Sequence, residues 1–193
     1  MEIEERSAAR RLPPGSHGIP ADVVARNQRE RLVAAMAEVC AEQGYAEATV
    51  AAVAKRAGVS SLTFYKQFGD KRDCLLAAHR HLLGRLLEEV DRAVEEEAGG
   101  GPKVAIRRAL AVFAADPPSA RLLTVEILAA GPEGAKRHDV TVEAFAERLG
   151  TGWIPAAGML ALVGKLVVAG EAARLPELED ELVATLSGAT PQA

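Results

Sequence analysis

The stretch TVAAVAKRAGVSSLTFYKQF, from Thr49 to Phe68, decides the fold. Thr49 is a good N-cap for a short helix in which Val50, Val53 and Ala54 face inward. Ala57-Gly58-Val59 reads as a tight turn, because only glycine enters the left-handed region without a Cβ penalty. Ser60 caps the next helix, which carries Phe64 and closes at Phe68. Two short helices joined by such a turn must cross steeply, with Val53, Ala54, Val59 and Phe64 wedged between them. The pattern predicts a helix-turn-helix whose second helix offers its first turn to a DNA major groove.

Outward from this stretch the chain reads as helix throughout. Leu32, Ala35, Met36 and Val39 recur at helical spacing over about residues 27–43, and Gly44 stops that helix. Beyond Gly69, Asp70 caps a long helix bearing Leu75, Leu76, His79, Leu82, Leu83, Leu86 and Val90. The Gly99-Gly100-Gly101-Pro102 cluster is a loop, and further helices are expected over about 103–115, 119–130, 132–149, 155–173 and 176–186. No segment alternates polar and apolar residues in the manner of a strand. The expected fold is all-α, with about nine helices. An N-terminal arm spans 1–26, a helix-turn-helix domain 27–74, a helical ligand-binding and dimerisation domain 75–186, and a tail 187–193.

Charge is distributed unevenly. Residues 1–80 hold 12 Lys/Arg against 10 Asp/Glu, and the remainder holds 11 against 17, so a basic front end precedes an acidic body. Between Thr49 and Arg72 the cations Lys55, Arg56, Lys66, Lys71 and Arg72 face only Asp70. Cys40 and Cys74 lie in apolar helical patterns without a CxxC spacing, as buried small hydrophobes would. His79 and His81 are two apart and cannot form an i,i+4 pair, and His17 and His138 lie elsewhere, so no metal and no cofactor are expected. All four histidines read as structural or exposed. Nucleophile-elbow, phosphate-loop, dinucleotide and zinc-protease motifs are lacking, so an enzyme is not expected. The opening Met1-Glu2-Ile3-Glu4-Glu5 is unlike a secretory leader, and the apolar run 156–170 is interrupted by Lys165. The expectation is a cytoplasmic protein that does not enter a membrane.

The segment resembles the DNA-binding motif of TetR-type transcriptional regulators. The likeness rests on Thr49-Val50, Ala57-Gly58-Val59-Ser60, Thr63-Phe64-Tyr65, Phe68 and Asp70-Lys71. It extends upstream through Arg31–Ala35 and Glu42-Gln43-Gly44-Tyr45, and downstream to Leu75-Leu76. It is specific over about residues 29–78 and generic beyond; Leu12–Gly18 is similar to an arm of some members.

The resemblance implies a ligand-responsive repressor that binds a pseudo-palindromic operator in double-stranded DNA as a homodimer. It implies that Thr49, Tyr65, Lys66 and Lys71 hold phosphates, and that Ser60, Ser61, Leu62 and Thr63 face base edges. Ser61 and Leu62 stand where the family often has Arg or Lys, the side chains that read guanine. Leu62 is then expected against a thymine methyl, with Arg10 and Arg11 of the arm as candidates for an adjacent minor groove. The last two helices would form the dimer interface. An unidentified small-molecule effector would occupy a chamber drawn from Phe113, Leu123, Ile127, Phe145, Trp153 and Met159, with Arg121, Glu126, His138 and Thr141 as polar candidates. The main alternative is a small-molecule-binding protein of the same fold that has lost DNA binding; an all-helical enzyme ranks behind it.

Overall fold

The computed structural model describes residues 20–97 and 99–186. Helices and turns account for them, and no strand occurs among the described residues. The chain divides into two compact units, 1–78 and 79–193.

In the first unit, α1 (Ala21–Glu47) begins six residues earlier than its apolar periodicity suggests. Pro20 explains the early start. It occupies the N-cap, where a fixed φ and a missing N–H cost nothing, and its carbonyl accepts from Val23 and Val24 at 3.0 and 3.2 Å. Gly44 (φ 77°, ψ 157°) breaks the helical backbone where the sequence expects a stop, and in the short turn that follows, Tyr45 is turned into the core. Next come α2 (Val50–Ala57) and α3 (Ser61–Gln67), and then α4 (Lys71–Glu96), whose first residues belong to this unit. Leu32, Met36, Val53, Phe64 and Leu75 form a core from which water is excluded. Cys40 and Cys74 are buried free thiols, and burial pushes Cys74 up to about 12, which keeps it an inert thiol.

The second unit continues with α5 (Gly101–Ala115), α6 (Pro117–Thr124), α7 (Pro132–Arg148), α8 (Trp153–Val168) and α9 (Glu179–Leu186). Two expected helices are broken by 3-10 turns. The run expected over 119–130 breaks at Val125 (φ −124°, ψ −60°) and continues as a 3-10 helix, Glu126–Ala130. Gly170 (φ 76°) ends α8, and Pro176, which lacks an N–H, lies in a 3-10 run from Ala172 to Leu178 before α9 begins. Two glycines set helix distances. A Cβ on Gly164 would lie 3.0 Å from Val125 Cγ2, and one on Gly134 would lie 2.0 Å from the Ile127 carbonyl oxygen. No single helix among the described residues is long and apolar enough to cross a membrane.

Candidate nucleic-acid interface

Local capping builds the two short helices. Thr49 Oγ1 accepts from Ala52 N at 3.1 Å, and Ser60 Oγ accepts from Thr63 N at 3.0 Å. Gly58 is left-handed (φ 63°, ψ 39°), and Val59 N reaches the Ala54 carbonyl at 2.9 Å, so the end of α2 is closed by a Schellman motif. Asp70 Oδ1 accepts from Asp73 N at 2.8 Å while Asp73 Oδ2 accepts from Gly69 N at 3.2 Å, a reciprocal cap that starts α4.

Packing then orients α3. Phe64 is fully buried, 5.6 Å from the Phe68 ring, whereas Leu62 is 68% exposed and Tyr65 57% exposed. Ser61 and Lys66 are exposed as well. Leu62 and Tyr65 are three apart and share a face, so the helix turns an apolar side chain and a phenol outward. The Ser60 and Thr63 hydroxyls lie 3.0 Å apart, which fixes both at the first turn.

Three cations close the ends of these helices, and no spacing rule announces them. Arg29 Nη1 donates to the Gln67 carbonyl at 2.7 Å with its guanidinium 4.2 Å from the centre of the Phe68 ring, which ties the end of α3 to α1. Arg31 Nε donates to the Ala57 carbonyl and Nη2 to that of Gly58, both at 2.8 Å, at the end of α2. Lys71 departs from the phosphate grip expected of it. Its ammonium donates to the carbonyls of Tyr45, Ala46 and Ala48, each at 3.0 Å, and lies 4.6 Å from the centre of the Tyr45 ring. An ammonium has three donors, and the last turn of α1 with its C-cap Ala48 takes all three. Arg56 is likewise paired internally, with Glu38 at 3.2 Å and Glu42 at 2.6 Å. Part of the basic excess near the motif thus holds the unit together, while Arg26, Lys55, Lys66 and Arg72 stay at its surface. Arg10 and Arg11 lie outside the described residues.

In the second unit Phe113, Leu123, Ile127, Phe145 and Met159 are buried, and the Phe113 and Phe145 rings stack at 5.9 Å. Trp153 is not brought among them. It opens α8 at the surface, 46% exposed, beside Ile154 at 80%. Of the polar candidates, Arg121 pairs with buried Glu126 at 2.7 Å, Thr141 is fully buried and His138 is partly covered. Thr141 Oγ1 lies 2.9 Å from Nε2 of His79, a buried side chain assigned no ligand role from sequence.

This helix-turn-helix followed by a helical body is the architecture of TetR-type regulators. Residues 32–78 match the family model described as bacterial regulatory proteins, tetR family. Over these residues, about a quarter of its length, the chain is similar to that family. It is 33% identical over 76 residues to the fatty acid metabolism regulator protein of Bacillus subtilis (strain 168), covering 39% of each chain. It is 42% identical over 80 residues to the HTH-type regulator BetI of Stenotrophomonas maltophilia (strain R551-3), covering 42% of this chain and 40% of that one. The chain thus matches about two fifths of the length of these curated relatives. The crystal structure of FadR from Bacillus subtilis in complex with stearoyl-CoA superposes with a TM-score of 0.70 at 20% identity, over 83% of this chain and 98% of that one. FadR from Bacillus halodurans gives 0.72 at 22% identity, over 86% and 97%. At these identities the likeness is one of fold.

Proposed function

We propose that this protein is a cytoplasmic, dimeric, ligand-responsive repressor that reads a pseudo-palindromic operator through α3. The carrying observation is the orientation of α3, with Phe64 fully buried and Leu62 and Tyr65 turned to solvent. In the major groove Leu62 would contact a thymine methyl, with Ser60, Ser61 and Thr63 beside it at base edges. Thr49, Tyr65 and Lys66 would contact phosphates, which position the helix without reading sequence. Lys71 would act indirectly, by holding the end of α1 on which α2 is seated. Arg10 and Arg11 would reach the neighbouring minor groove.

A single short helix reads few bases, so two copies are needed. Along α8 the residues Ile154, Gly158, Ala161, Lys165 and Val168 are exposed at alternating four- and three-residue intervals. Apart from Lys165 this stripe is small or apolar, which suits a helix–helix seam between two copies, with α9 alongside. Effector bound in the second unit would shift α4, whose residues belong to both units, and so change the separation of the two reading helices. Coupling of this kind is typically about 1–3 kcal/mol, or roughly 5–150-fold in DNA affinity. The buried apolar set suits a ligand with an aliphatic part. Fatty acyl-CoAs deserve the first trial, since stearoyl-CoA is bound in the Bacillus subtilis FadR structure.

A salt titration of operator binding tests the reading. Each phosphate contact adds about 0.9 to the slope of log affinity against log salt, so several contacts give a steep line. A flat response from folded dimer would favour the alternative, a ligand-binding protein of this fold that no longer reads DNA.

A further inference from the structure

The second unit contains a polar group that its own packing leaves unused. His79 is 1% exposed, and its Nδ1 has no hydrogen-bond partner among the described residues. Its tautomer follows from Thr141. That hydroxyl has one proton and donates it to the Arg137 carbonyl at 3.2 Å, one turn back along α7. With its proton on that carbonyl the hydroxyl accepts from His79, and the tautomer that satisfies both contacts carries its proton on Nε2 in the 2.9 Å contact. Nδ1 is left as a bare lone pair in a buried place. Buried acceptors in folded proteins are nearly always paired, which makes this one a signal to be explained.

The surroundings narrow the explanation. Thr141 and Phe145 are four apart on α7, on one face, and Phe145 stacks on Phe113. The histidine therefore sits about one helical turn from a buried aromatic pair. Small-molecule sites are lined by apolar side chains with a few oriented polar atoms, and both kinds of group lie close together here. Burial, with Arg137 and His138 nearby, lowers the pKa of His79 to about 4, so the ring is neutral near pH 7. The Arg137 side chain is engaged with Glu133 at 3.9 Å. Among the described residues no group of three or more His, Cys, Asp or Glu could hold a metal ion there.

We infer that His79 Nδ1 is the acceptor of a ligand subsite in the second unit, taking a hydrogen bond from a donor group, a hydroxyl or amide N–H, on an otherwise aliphatic molecule. Groups that only accept, such as carboxylates, ethers and ester carbonyls, are refused at this position, because they set a lone pair against a lone pair. The inference rests on the proposed effector role of this unit and specifies the chemistry it selects.

The test uses full-length protein with 1-decanol, decyl methyl ether and decanoate as probes, by calorimetry at pH 7.5. Wild type binds 1-decanol about tenfold more tightly than the ether, the worth of one good hydrogen bond, with decanoate weaker still. His79→Phe makes the alcohol and ether equal, and His79→Gln, which keeps an acceptor, restores part of the preference. In 15N spectra of the wild-type imidazole, 1-decanol moves the Nδ1 resonance and the ether does not. The spectra decide the matter even if a variant misfolds. Failure of 1-decanol to bind, equal binding of alcohol and ether, or a preference that survives His79→Phe overturns the assignment. None of these readouts involves DNA. A protein that binds an operator but shows no alcohol preference refutes this inference alone, and one that prefers the alcohol but binds no DNA refutes the repressor reading alone.

Discussion

Replacing His79 by Phe should flatten the acid side of the stability profile. In the folded protein burial and the neighbouring Arg137 and His138 lower this group from 6.5 to about 4. The unfolded chain protonates it at the ordinary value. Between the two the unfolded state therefore holds more protons, and stability falls as pH falls. The contribution is fully present above about pH 6.5 and is lost progressively as pH drops to about 4. A shift from 6.5 to about 4 corresponds to about 3 kcal/mol at 1.36 kcal/mol per pH unit. For a chain of this size that is on the order of 6–12 °C in Tm. The assay is calorimetric melting of wild type and His79→Phe from pH 7.5 to 4. Carboxylate titrations are common to both proteins, so the difference between the two curves isolates the histidine. The stability gap should move against wild type by about 3 kcal/mol across this range. Parallel curves would show that His79 titrates normally, and would refute the buried, neutral ring.

Further outcomes follow from the packing and the exposed faces. Phe64→Ala removes a fully buried ring and should cost about 3–5 kcal/mol, with loss of operator binding, as read by thermal melts and gel shift. Leu62→Ala should leave stability within about 0.5 kcal/mol yet relax sequence preference at one operator position, whereas Lys66→Ala should weaken all sequences alike and lower the salt slope by about 0.9. Gly134→Ala gains helix propensity of about 1 kcal/mol, but its Cβ would lie 2.0 Å from the Ile127 carbonyl oxygen, so the clash wins and Tm falls. Ile154→Glu, at a position 80% exposed in the single chain, should leave the fold intact and yield a monomer by analytical ultracentrifugation.

What could be read from sequence was local. Thr49, Gly58 and Ser60 act on backbone groups within four residues of themselves, and residue type at short spacing fixes such effects. The clamps by Arg29, Arg31 and Lys71 reach carbonyls 23 to 38 residues away, for which no spacing signal exists. A charge count near the motif therefore overstates the cations left at the surface. The break at Val125 has neither glycine nor proline to announce it. The resemblance implies Trp153 as a chamber candidate, yet as the first residue of α8 it opens the helix at the surface. Phe113 and Phe145 enter the sequence reading only through the resemblance, as chamber candidates, and both are buried. The bare Nδ1 of His79 was not, since it depends on a hydroxyl 62 positions away and on where that hydroxyl sends its proton.

The most direct test of the central claim is selection of binding sites from a random duplex library by the purified full-length protein. The account predicts enrichment of a pseudo-palindrome with half-sites placed for two copies of α3 in successive major grooves, about 34–36 Å apart. No enriched sequence from folded dimer, with or without an effector bound, would contradict it.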